Sequence, residues 1–161
     1  MRSLSCMTTS FKKIIAVLML GMGLAACATG HSQSTVRFEI HAGSLTESAD
    51  WQKARLLDDP GTRIYIAPEV LLDNADVALA EAKKDLGGQV LIIIQMTPAG
   101  TARMAMASRV LLRQRMAVMI DGEVVTAPVV SAPLSGNRFA ITGFKSLEEA
   151  QRIAVGIAPK R

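Results

Sequence analysis

Two histidines, His31 and His41, and the triplet Asp121-Gly122-Glu123 are the residues with which this chain could do metal or acid–base chemistry. A metal pair or a Ser-His-Asp arrangement needs a second histidine or a partnered serine held in structure. His31 lies in a small, polar stretch and His41 at the end of a strand-like segment, so each stands alone and His41 reads as structural. Asp121 and Glu123 flank a dipeptide with turn chemistry, where turn geometry and solvation account for both carboxylates without a catalytic pair. Gly87-Gly88 lacks the strand, Gly-x-Gly-x-x-Gly and helix context of a phosphate loop. Arg109, Arg113 and Arg115 are left as residues that could grip acidic groups of a partner, a reading that competes with a solvated helix face. The expectation is no enzyme, no cofactor, no metal and no small-molecule substrate.

These residues are distributed over elements legible from periodicity. Met116 to Val130 consists of two apolar runs around Asp121-Gly122, a dipeptide that tolerates the positive φ angles of a type I′ turn, so the segment predicts a β-hairpin. Val36 to Ile40 alternates apolar and polar like a half-buried strand, 43–61 reads as loop, and Arg63 to Ala67 resumes the alternation before Pro68. Thr97-Pro98 is a cap followed by proline at the first helical position, predicting a helix from Pro98 to Gln114. Met104, Ala105, Ser108, Leu111 and Leu112 share its apolar face, Arg103, Arg109 and Arg113 fall largely outside it, and the methionines read as adaptable core filler. Arg138 to Thr142 predicts a further strand, and Ser146-Leu147-Glu148-Glu149 a capping box opening a last helix through Val155. The residues alone leave 73–86 open: Ala78 to Lys83 are good helix formers, yet Gly87-Gly88 ahead of Val90 to Ile94 suits a hairpin.

The first 26 residues predict an export signal. Arg2, Lys12 and Lys13 precede an apolar run, Ile14 to Ala26, of about 13 residues, shorter than the roughly 20 a spanning helix needs. Leu24-Ala25-Ala26-Cys27 resembles a bacterial lipobox, which implies lipidation at Cys27; Ala28 after the cysteine resembles the outer-membrane form. Cys6 would leave with the signal, so no disulfide is expected. Residues 27–35 then form a lipidated flexible tether and 36–161 one domain. Removing the signal takes Arg2, Lys12 and Lys13 from the 18 basic residues and none of the 14 acidic ones, lowering the formal charge from +4 to +1. A nearly neutral domain with one Trp and one Tyr gives little support to nucleic-acid binding.

Thr97-Pro98 with Gly100, Met116 to Val130, Pro133, Ser135-Gly136, Ile141-Thr142-Gly143 and Leu147 to Ala150 together resemble the head subdomain of the first periplasmic domain of SecD. The resemblance runs from Val36 to Ile157, without evident gaps from Thr97 to Ala154. Its strongest words are Leu-Asp-Gly-Lys-Val-Ile-Ser-Ala-Pro-Val-Ile in that family and Ile120 to Val130 here. It implies an α+β fold, a small mixed or antiparallel sheet of hairpins with two helices on one face, and favours a hairpin for 73–94. Two departures are that a family glycine near the end of the long helix is Arg113 here, and that its Gly-Asn-Phe is Gly143-Phe144-Lys145. SecD also couples proton flow to motion through several transmembrane helices, and nothing after residue 26 reads as one.

The function this implies is a membrane-tethered noncatalytic binding module on the periplasmic face of the cell envelope. Its expected partners are exported polypeptides or Sec translocon components. The alternative is an envelope lipoprotein with a structural or assembly role that reuses the fold without a part in export.

Overall fold

The structure, a computed structural model, describes residues 34–158. Cys27, the signal and most of the tether lie outside them.

Eight strands and two helices follow one another as β1 (Phe38–Ser44), β2 (Gln52–Arg55), β3 (Arg63–Asp73), β4 (Val77–Lys84), β5 (Val90–Met96), α1 (Pro98–Val110), β6 (Arg115–Ile120), β7 (Glu123–Thr126), β8 (Arg138–Thr142) and α2 (Leu147–Ile157). The class is α+β and every ladder within the sheets is antiparallel, as the resemblance implied. The strands nevertheless divide between two sheets, β2-β3-β1-β6-β7 and β4-β5-β8, where the sequence suggested one. Sequence alternation identifies strands and not their neighbours, and the second sheet is assembled by pairing β5 with the distant β8.

β1 is central to the larger sheet, with β3 and β6 on its two sides, and is buried on both faces. That corrects the half-buried reading. Phe38 and Ile40 face the main core with Leu72, Met116, Val118 and Ile120, while Ile64, Ile66, Ala117, Met119 and Val124 form a second cluster. The sheet curls far enough for its outer strands to meet: Leu56, just past β2, bridges Val124 of β7, and the Leu57 N–H donates to the Val124 carbonyl at 2.9 Å. Such curling encloses a small interior. A Cβ on Gly43 would come within 2.9 Å of Ile64 Cδ1 and 3.4 Å of the Ala117 Cβ.

Two further corrections follow from pairing. β2 lies in the stretch read as loop, because four polar-rich residues become a strand only by bonding to β3. β3 continues through Pro68 to Asp73, since the register with β1 shifts around Ala67–Glu69 and leaves a place where proline's missing N–H is not needed.

The open region 73–86 contains a 3₁₀ turn, Asn74–Asp76, and then β4. Pairing with β5 overrides helix propensity. Asp85 closes the hairpin, its carboxylate accepting from the N–H groups of Gly87 and Gln89 at 2.9 and 2.8 Å, while Gly88 supplies φ +81°. The Asp121-Gly122 turn has the expected positive φ at both positions, 50° and 85°.

α2 lies against β4 and β5, and α1 against β3, the 3₁₀ turn and β5. Ser34 and Thr35 already belong to the fold, since the Thr35 and Val36 N–H groups both donate to the Gly156 carbonyl and Ser34 Oγ donates to that of Ile157. Asn74 ties this corner together, accepting from the Phe38 N–H and donating to the Val36 and Ile157 carbonyls.

Candidate functional site

The three candidate arginines do not form a cluster. α1 ends at Val110, not Gln114, so only Arg109 lies on the helix. The Leu111 N–H closes the final turn on the Ala107 carbonyl, and Arg113 then takes φ +66°, a reversal that starts the return toward β6. That is the position of the family's glycine, and no side-chain feature of an arginine announces a left-handed backbone. Arg115 opens β6 and donates from Nη1 to the Ala127 carbonyl at 2.7 Å, which commits its guanidinium to holding a loop.

His41 stands in mid-strand, not at a strand end, and is 6 % exposed. Its Nδ1 meets the Ala67 carbonyl at 2.9 Å, so the ring fills a hydrogen-bonding gap left by the β3 irregularity. Nε2 faces Glu39 Oε2 at 3.7 Å, and Glu39 Oε1 meets Arg37 at 2.8 Å. Alternation could have shown that Glu39 and His41 share a face; that this face is buried required the tertiary fold. Among the described residues no group of three potential metal ligands occurs.

Asp121 has a structural task as well, its carboxylate accepting from the Arg37 N–H at 2.8 Å while its own N–H donates to the Arg37 carbonyl. Glu123 is exposed. Both border a cleft of about 400 Å³ floored by Ile120, Val125, Phe144 and Ile153.

A different feature has the geometry of a binding site. Among the described residues β4 pairs only with β5, so there one side of its backbone has no strand partner. Alternate N–H and C=O groups along such an edge point away from the sheet. Beside it runs a groove of about 350 Å³ between Ala80, Ala82, Glu81 and Lys83 on β4 and Ala154 and Val155 on α2. The edge presents small side chains with two opposite charges, and Val155 is 56 % exposed at the rim. Chemically this arrangement can accept an extended chain through main-chain hydrogen bonds. The sequence hid it, because the residues of β4 suit a helix and a strand alike and nothing local says which side of such a strand stays unpaired.

The class this architecture defines is an α+β domain of two antiparallel sheets and two helices. Residues 32–158 match the family described as the SecDF P1 head subdomain, and the chain belongs to that family. It is similar to protein translocase subunit SecDF of Thermus thermophilus, 36% identical over 85 residues that make up 53% of this chain and 12% of that protein. It is 32% identical over 85 residues to protein translocase subunit SecD of Acidaminococcus fermentans, covering 53% of this chain and 20% of that one. The chain thus spans between about an eighth and a fifth of these relatives. A solved structure of SecDF, reported as a membrane component that enhances protein export, superposes with a TM-score of 0.63 at 26% identity, covering 78% of this chain and 62% of that one. Among the described residues, no helix is long and apolar enough to cross a membrane.

Proposed function

We propose that this protein is a noncatalytic binding module of the cell envelope that holds an extended polypeptide at the free edge of β4, as an accessory to protein export. Strand addition requires only unpaired main-chain groups and shallow pockets for alternate side chains, which is what β4 and its groove with α2 offer. This edge is the observation that carries the reading; membership in the SecDF head family supplies the link to export. Cys27 is the proposed lipidation site. From there to Ser34 the chain can span at most about 25 Å, so the domain would work close to its membrane, the outer one by the form of the residues around Cys27.

Photo-crosslinking residues placed in cells at Ala78, Glu81 or Lys83, with a control at Arg152 on the outer face of α2, test this. Adducts between the β4 probes and newly exported chains or translocon subunits are the expected result. Adducts confined to envelope structural proteins, or a pattern identical to the control, would replace it with the structural lipoprotein reading. Replacing Cys27 by serine should release the protein from the membrane fraction; retention there would remove the anchor.

A further inference from the structure

α1 carries apolar residues on both of its faces. The buried face consists of Gly100, Met104, Ala107 and Ser108 and continues into Leu111. The opposite face has Ala99, Ala102, Met106 and Val110 at i, i+3, i+7 and i+11, all exposed, with Met106 at 62% and Val110 at 76% exposure. Exposed Leu112 extends this stripe in sequence, and exposed Val129 and Leu134 lie in segments bonded to the helix and its connection, through Val130 to Arg113 and through Leu134 to Ser108.

The charged residues of the helix and of its connection to β6 are all basic, and the acid nearest the helix, Asp76 on the neighbouring 3₁₀ turn, is buried. No aspartate or glutamate occurs between Asp85 and Asp121. Arg103 is paired with the buried Asp76 carboxylate at 3.1 Å and Arg115 with a carbonyl, but the side chains of Arg109 and Arg113 have no ion pair or hydrogen bond among the described residues. Both are exposed.

We propose that the outer face of α1 docks on an anionic membrane surface, with Met106 and Val110 entering the boundary between headgroups and acyl chains and Arg109 and Arg113 meeting lipid phosphates. An aliphatic centre beside arginines, without acids, is the composition of helices that lie in a membrane interface. Lipids mould themselves to a convex surface such as this helix face, and their phosphates complement Arg109 and Arg113. The proposal is independent of strand addition at β4, and the two together would leave β4 free while α1 fixes the orientation of the domain.

The test uses the full chain reconstituted into vesicles of phosphatidylcholine with phosphatidylglycerol, carrying acyl-chain nitroxide quenchers. A fluorescent amino acid is placed at Met106 or, as control, at Gln151 on α2. Quenching at 106 but not at 151, weakened when phosphatidylglycerol is omitted, is expected. Arg109→Gln with Arg113→Gln should lower the partition constant for docking roughly twenty-five-fold, at about fivefold per arginine. Circular dichroism of that variant should be unchanged, since both side chains are exposed. Equal quenching at the two positions, none at either, or indifference to lipid charge and to the arginines would overturn the proposal. So would protection of position 106 that appears only when an unfolded polypeptide is added, which would assign the face to a protein partner.

Discussion

α1 and α2 share a core and differ in almost everything that faces away from it. α2 buries Ala150, Ala154 and Ile157 with Leu147 and Ile153 partly buried beside them, and turns Glu148, Gln151 and Arg152 to water. α1 has an equally clear buried face but an outer face of alanine, methionine and valine flanked by arginines. Their N-terminal turns are built alike, Thr97 and Ser146 each accepting from the N–H three residues on, at 3.0 and 3.1 Å. In α2 the reciprocal half of the capping box is displaced, because Glu149 Oε2 accepts from the Lys145 N–H, one residue before the cap. The difference between the helices is therefore not in how they start. α2 turns mostly charged and polar side chains outward, with Val155 exposed beside β4, whereas the outer face of α1 is mostly apolar.

Each helix also makes a close approach through a glycine, Gly100 to backbone and Gly156 to side chains, and substitutions there separate the two most strongly. A Cβ on Gly100 would collide with the Asp76 carbonyl, a main-chain atom that cannot step aside, so Gly100→Ala should cost about 3 kcal/mol in urea unfolding. A Cβ on Gly156 would meet the Val36 side chain near the first residues of the fold, where movement is easier. Alanine also gains helix propensity there, so Gly156→Ala should cost less than Gly100→Ala. A reversed order would mean that α1 is the loosely held helix.

Asn74→Ala removes three hydrogen bonds that join the C-terminus of α2 to the start of β1. The expected loss is about 2 kcal/mol, with faster amide exchange at the Thr35 and Val36 N–H groups. The caps should come next and be nearly equal, Thr97→Ala and Ser146→Ala each costing about 1 kcal/mol by thermal unfolding. Clearly unequal values would show that one N-terminus is held by packing instead of its cap. Arg113→Gly restores a residue at ease with φ +66° and should raise stability by about 0.5–1 kcal/mol. Met106→Gln on the outer face of α1 should leave the unfolding midpoint within about 0.5 kcal/mol of the parent. A large loss there would mean the face is already packed within the domain.

The strong local signals were those whose chemistry is complete within a few residues. Thr97-Pro98, Asp121-Gly122 and Ser146 specify a cap, a type I′ turn and a second cap, and the structure has each in its place. Signals that depend on a partner strand were weaker. The Gln52–Arg55 strand looked like loop and β1 looked half-exposed, while the residues of Val77–Lys84 left helix and strand open and the resemblance alone favoured the hairpin that the structure has. The three arginines illustrate the same limit at the site. The sequence reading put Arg109 and Arg113 on one helix with Arg115 just past its end, but the chain leaves that helix at Val110 and sends Arg115 to the Ala127 carbonyl.

By itself the sequence determined the α+β class, the turns and caps, the family words around Asp121-Gly122, and a core rich in β-branched and aliphatic residues, because these follow from backbone preference and from periods of two and 3.6. Only the tertiary structure decided that the strands form two sheets, that Glu39 and His41 are enclosed, that β4 keeps an open edge, and that Met106 and Val110 face outward. Those outcomes depend on which distant segments meet, β5 with β8 and β2 with β7, and contact between residues far apart in the chain is not encoded in local periodicity.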